Sequence, residues 1–386
     1  MKILVDIDDF NNIHEILKQE ETPETFFEIS NKLVSSEEFA RKHEIYYYLL
    51  RNSALFAVEE GDDGHTLQSM EQNFFQSLAV KACSLAEKDY LISNIPFWIT
   101  NIYDEIFRHC KDEQLKEIIK GTKIKIDELS SIKITANQDG VINFSLLTKS
   151  FYKNYLIILF TIINDWNLDS SEENNELIFK YLFPFFLHYC NPTDLRLTAL
   201  PRVRIKDEGI YARAKRVAHY QSMFNFLHEI AHFGFNHIGN NTLVQNVFLD
   251  GFKELFEKKE NYKEYEADAL ALLMLQDFPD NLIDDIYLAV HCMFNFDSTM
   301  FIFKDYNNEK NITENIFQKR YKILASVPSK RRASDDTRNL MAIISGIFDK
   351  FVKILFSFSK KEIDNKIAYY TENNQAQKSF NRIFGF

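Results

Sequence analysis

Apolar positions recur along most of this chain at the three- and four-residue spacing of amphipathic helices, and the pattern predicts one helix after another with one short interruption. Before residue 121 helices are expected at 23–33, 36–59, 67–88, 90–109 and 113–120, after a short strand over 1–9. Ser35 and Glu38 are spaced as a capping box for the second helix, and Gly61-Asp-Asp-Gly64 breaks the run. The period then drops to two. Lys123-Ile-Lys-Ile-Asp127, Ile132-Lys-Ile-Thr-Ala136 and Val141-Ile-Asn-Phe-Ser145 alternate, with Asn137-Gln-Asp-Gly140 as a turn, which predicts a small antiparallel sheet. Helices resume at 151–164, at 173–190 around Pro184, and at 281–295, 311–326, 335–356 and 360–373. The expected fold is α+β and predominantly α-helical. A boundary near 121 divides it into an N-terminal helical domain for recognition or support (1–121) and a second domain carrying the sheet and the remaining helices (122–386).

Composition narrows the class. With 386 residues, 46% of them hydrophobic, the chain can bury a large core, and 36 Phe and 18 Tyr against 10 Gly and 7 Pro favour long helices over tight turns. A formal charge of -11 disfavours binding to nucleic acid or to anionic membranes, both polyanions, and leaves proteins as the expected partners. Cys83, Cys110, Cys190 and Cys292 are widely spaced and form no Cys-x-x-Cys, so neither a disulfide framework nor a cysteine zinc site is indicated. The start of the chain lacks the pattern of a signal peptide, and the apolar stretches 155–163 and 181–189 fall short of the roughly 20 residues that span a bilayer. A cytoplasmic protein is expected.

The chemistry gathers at His228-Glu229-Ile-Ala-His232. On a helix the two His stand one turn apart on one face and can reach the same metal ion, while Glu229 beside them can take a proton from a bound water. Phe224, Phe226, Leu227, Ile230, Ala231, Phe233 and Phe235 make this helix apolar nearly all round, which predicts burial, and buried imidazoles need partners. Two other strings begin the same way, His14-Glu15 and His43-Glu44, but Lys18 and Tyr47 stand where the second His is required. A third ligand has to come from elsewhere. Glu264 and Asp268 lie one turn apart on a second predicted helix, 263–274, so Glu264 as ligand with Asp268 orienting a neighbouring His is a coherent design; Glu266 points to the far side and is the weaker candidate. His237, nine positions past His228, would face away on a continuous helix and is expected to end it near Gly239. Tyr220, His237, Tyr262 and Tyr265 are the candidates for stabilising an oxyanion. The charged segment 240–262 is a candidate cover for the cleft.

His228-Glu-Ile-Ala-His232 followed by Glu264-Tyr-Glu-Ala-Asp268 resembles the gluzincin zinc peptidases. That resemblance implies a zincin-like domain in which Zn2+ is held by His228, His232 and Glu264, with Asp268 behind them and Glu229 as general base. A metzincin pattern does not fit, because Phe235 and Ile238 stand where it needs Gly and His. Over residues 122–335 the order of hairpin, apolar helix and the two motif helices is similar to the Lit-like phage-exclusion peptidases. This implies a zinc endopeptidase acting on an intracellular protein in phage defence: a translation factor, or a repressor if the relation is to repressor-cleaving peptidases. The contrasting expectation is a zinc-containing regulatory or interaction module that keeps the site for stability alone.

Overall fold

The computed structural model describes residues 57–59, 97–127, 134–137, 140–145, 148–166, 170–190, 203–205, 208–235, 237–238, 261–304, 315–327 and 331–372. The strand expected at 1–9, the helices expected at 23–33 and 67–88, the Gly61–Gly64 break and nearly all of the 240–262 segment lie outside them. In chain order the elements are β1 (Ala57–Glu59), α1 (Phe97–His109), α2 (Glu113–Gly121), β2 (Lys123–Asp127), β3 (Thr135–Ala136), β4 (Val141–Ser145), α3 (Thr148–Asn164) and α4 (Ser171–Cys190). There follow β5 (Val203–Ile205), α5 (Glu208–Gly234), α6 (Tyr262–Leu275), α7 (Ile283–Lys304), α8 (Ile316–Ala325), α9 (Asp335–Ser357) and α10 (Lys360–Glu372). The described residues are mostly helical with a small sheet, as the periodicity predicts. Of the helix expected over 36–59 only residues 57–59 are described, and they form β1 instead, which pairs in parallel with β5.

Contacts group the chain into two units, and the expected boundary at 121 falls inside the second. The first comprises residues 1–97, 154–214 and 349–386, the second 98–153 and 215–348. In the first, aromatic rings carry much of the described packing. Tyr155 meets Phe185 at 5.9 Å between ring centroids, Phe186 stacks on Phe351 at 5.5 Å, and Lys366 lies over both Phe179 and Phe358. Pro184 sits within α4 without ending it.

The second unit holds the three-stranded sheet, in the order β2-β4-β3. The expectation of an antiparallel sheet is corrected here. β3 and β4 form an antiparallel hairpin around the turn at Asn137–Gly140, but β2 runs parallel to β4, so that β4 is the central strand and β3 an edge. Gly140 adopts φ +73°, the left-handed conformation that a glycine takes at little cost, and Asn137 closes the turn by accepting from the Val141 N–H through its side chain at 3.1 Å. Alternation along β4 buries Ile142 and Phe144, and Phe144 packs against Phe226 of α5 at 5.4 Å between centroids. The edge strand β3 is thereby brought alongside α5.

α5 is buried through its second half, where Phe224, Phe226, Leu227, Ile230 and Ala231 are fully enclosed. Asn261 opens α6 in the left-handed region (φ 63°), a conformation Asn tolerates better than most residues, and its carbonyl accepts from the Glu264 N–H at 3.0 Å. α8 is capped by Asn315, whose side-chain oxygen accepts from the Phe317 and Gln318 N–H groups. α7, together with the short turn before it, is the one described helix long and apolar enough to cross a bilayer, but 78% of its most apolar window is buried inside the protein. α7 and α6 both pack on α8. Arg331, just beyond α8, is half-buried: it pairs with Asp280 at 3.1 Å, donates to the Phe278 carbonyl, and its own carbonyl accepts from the Tyr287 hydroxyl.

Candidate metal centre

Because α5 is helical through 228–232, His228 and His232 project from one face one turn apart, and their Nε2 atoms converge to 3.1 Å. α6 adds Glu264, whose carboxylate oxygens lie 3.3 Å from His228 Nε2 and 3.5 Å from His232 Nε2. A tetrahedral ion with bonds of about 2.0–2.1 Å to nitrogen and oxygen separates neighbouring ligand atoms by about 3.3 Å, so these three side chains are spaced as such a site requires. The donor set suits it too, since at most one proton fits between two facing imidazole nitrogens and the remaining lone pairs point at a common position. His228, Glu229 and His232 also offer ligand atoms within 4.8 Å of one another. The group can bind a metal ion.

Glu229 is engaged differently from Glu264. Its Oε2 accepts from the Ala136 N–H at 2.7 Å, so the outward edge of β3 faces the site and holds this carboxylate. Burial raises the pKa of Glu229 above the ordinary carboxylate value, against the opposing pull of His228 and the Ala136 N–H. Glu264 goes the other way, to about 2, chiefly through its contact with His228. The two glutamates are therefore pushed in opposite directions, Glu229 toward higher proton affinity and Glu264 toward lower.

Behind the convergent side chains Asp268 approaches His228 Nδ1 to 2.9 Å, out of line with the ring N–H, as a charge contact rather than an aligned hydrogen bond. Burial disfavours a charged His228, but Asp268 and Glu264 outweigh it and lift its pKa to about 9; burial together with that neighbouring charge takes His232 down to about 4. Asp268 is itself gripped by Arg320 of α8 through two bonds, Nε to Oδ2 at 2.8 Å and Nη2 to Oδ1 at 2.6 Å, which overcome burial and lower its pKa. Arg320 Nη1 also lies 3.2 Å from Glu264 Oε2, and the guanidinium is flanked by Phe294 and Phe317, 5.6 and 5.8 Å from its carbon to the ring centroids. One arginine thus ties a candidate ligand to the carboxylate behind another.

The structure brings His228, Glu229, His232, Glu264 and Asp268 together. Arg320 was not singled out; a lone Arg on a predicted helix carries no signal of a partner 52 positions away. His237 is also placed differently. α5 ends at Gly234 rather than near 239, and a bond from the His237 N–H to the His232 carbonyl (2.9 Å) folds the chain back, so that the His237 ring returns to the site. Glu266 is no part of the convergent trio and instead faces His237 Nε2 at 3.0 Å. Of the other oxyanion candidates Tyr220 and Tyr265 are buried, whereas Tyr262 is exposed, with its ring 6.3 Å from that of His237. None of the family models, curated proteins or solved structures compared with this chain matches it, and the geometry of the site stands on its own.

Proposed function

We propose that this chain is a zinc-dependent endopeptidase that hydrolyses a peptide bond in an intracellular protein. The observation that carries the reading is the convergence of His228 Nε2, His232 Nε2 and the Glu264 carboxylate at 3.1 to 3.5 Å beside a separately held Glu229. Two imidazoles and a carboxylate form a donor set that suits zinc among the common divalent ions. A zinc ion held by His228, His232 and Glu264 would supply Lewis acidity, easing loss of a proton from a water and polarising a carbonyl.

The residues of the chain do the rest. Glu264 stays ionised and balances charge. Glu229, with its raised proton affinity, accepts the proton of the attacking water and delivers it to the departing amine, and the Ala136 N–H keeps the carboxylate aimed while it does so. β3 is an edge strand next to this carboxylate, so an extended stretch of substrate can add to the sheet and lie across Glu229. The resemblance to Lit-like peptidases supports a translation factor as substrate and a role in phage defence, whereas a relation to repressor-cleaving peptidases would make the substrate a repressor.

The test is to express the wild type and Glu229→Gln and label newly formed protein N-termini in each lysate. A small set of cleavages present with wild type, abolished by a chelator and reduced about 10²–10⁴-fold in Glu229→Gln supports the reading. Identical N-termini in both, with zinc bound in both, would instead leave a metal-stabilised interaction module.

A further inference from the structure

An imidazole that binds a metal through one nitrogen depends on the partner of its other nitrogen, which fixes the tautomer and the direction of the ring. His228 has a carboxylate there. For His232 the partner is another imidazole: His232 Nδ1 lies 2.9 Å from His237 Nδ1, and His237 Nε2 lies 3.0 Å from Glu266 Oε2. All three side chains are enclosed, at 8%, 5% and 16% exposure. We propose that Glu266 and His237 are positioning residues, a relay that sets the tautomer of His232 so that its Nε2 offers a lone pair to the metal.

The donor and acceptor roles follow step by step. Glu266 accepts, so His237 carries its proton on Nε2 and presents a lone pair at Nδ1. One proton lies between the two Nδ1 atoms, so it belongs to His232. His232 then has its remaining lone pair on Nε2, the atom that converges with His228 Nε2 and Glu264. Reversing the first step reverses the last. With no acceptor at 266, His237 is free to donate from Nδ1, which places the His232 proton on Nε2 and turns an N–H toward the position a metal would occupy.

The backbone is arranged to hold this relay. The bond from the His237 N–H to the His232 carbonyl folds the end of α5 back on itself, and Lys263 Nζ reaches the His237 carbonyl at 3.3 Å from the start of α6. Glu264 and Glu266, two apart on α6, lie on different sides of the helix, so that one faces the convergent nitrogens and the other His237. Phe235 and Tyr262 flank the His237 ring, at 5.5 and 6.3 Å between centroids.

This relay rests on the metal-binding reading, and the test separates the two. Zinc affinity is measured on the full chain by competition with a chromogenic chelator for wild type, Glu266→Ala and His237→Phe. In parallel, long-range proton–nitrogen spectra of the histidine-labelled zinc-loaded wild type report which ring nitrogens carry protons, with His237→Phe assigning the His237 signals. The relay predicts His237 protonated on Nε2, His232 protonated on Nδ1, and zinc affinity weakened about 10–100-fold in both variants. Zinc bound by wild type with His237 protonated on Nδ1, or with affinities unchanged within about twofold, would overturn the relay and leave the metal site standing. A wild type that binds no zinc would fail the function itself. The tautomers are read on the wild type, so the relay remains refutable if a substitution prevents folding.

Discussion

Replacing Arg320 by Met removes the charge that neutralises Asp268 in a nearly closed environment, where the two side chains are 13% and 2% exposed. Asp268 is then left buried, with His228 as its remaining charge partner. Deleting one member of a buried pair costs about 3–5 kcal/mol, because the survivor must stay desolvated or take up a proton, and loss of the contacts with Phe294 and Phe317 adds up to about 1 kcal/mol. A destabilisation of about 4 kcal/mol is expected, a large share of the 5–15 kcal/mol that a domain commonly has. The assay is urea unfolding of the chelated protein, so that metal binding does not enter. Asp268→Asn and the double variant complete a cycle, in which removing both charges should recover at least about 2 kcal/mol of the summed single losses. Arg216→Met, which breaks the exposed pair with Asp285, serves as the control at under about 1 kcal/mol. An Arg320→Met loss as small as the control, or a double variant equal to the sum of the singles, would refute the view that this pair is a coupled buried unit.

Three other outcomes follow from the same geometry. Because the contacts with Asp268 and Glu264 lift His228 to about 9, zinc must displace a proton from it. Affinity should then fall about tenfold for each pH unit from 8 to 6, and calorimetry in buffers of different ionisation enthalpy should register about one proton released; affinity independent of pH would count against it. His291, held by Tyr321 and the Met341 carbonyl, is driven by burial down to about 4. Its neutral form therefore stabilises the fold fully above pH 6.5, and as pH falls from 6.5 toward 4 about 3 kcal/mol of that is lost. His291→Gln should flatten this part of the stability profile, and an unchanged slope would contradict the assignment. Glu264→Gln removes the ionised oxygen from the convergent trio and should weaken zinc at least tenfold, read by competition with a chelator; affinity within about twofold of wild type would count against Glu264 as a ligand.

What the sequence made legible was local. His228, Glu229 and His232 are one turn of one helix, and Glu264 and Asp268 one turn of another, so spacing alone fixes which side chains share a face. The buried character of α5 was equally readable, from its run of Phe, Leu and Ile. Relations between distant segments were not. Arg320 reaches Asp268 across 52 positions, and Ala136 reaches Glu229 across 93, through a backbone N–H that has no residue signature. The parallel pairing of β2 with β4 was missed because alternation says which face of a strand is buried and nothing about the direction of its neighbour. The position of His237 was not legible because helical angle applies only along a continuous helix, and α5 stops at Gly234, three residues before His237.

The most direct test of the account is metal stoichiometry with ligand identification, by elemental analysis and X-ray absorption of the full chain after zinc loading. The prediction is one zinc per chain bound by imidazole and carboxylate with no sulfur, retained in Glu229→Gln and lost in His228→Ala. A properly folded wild type that takes up no zinc, or a His228→Ala variant that binds it as tightly as wild type, would contradict the claim that these residues are a metal centre.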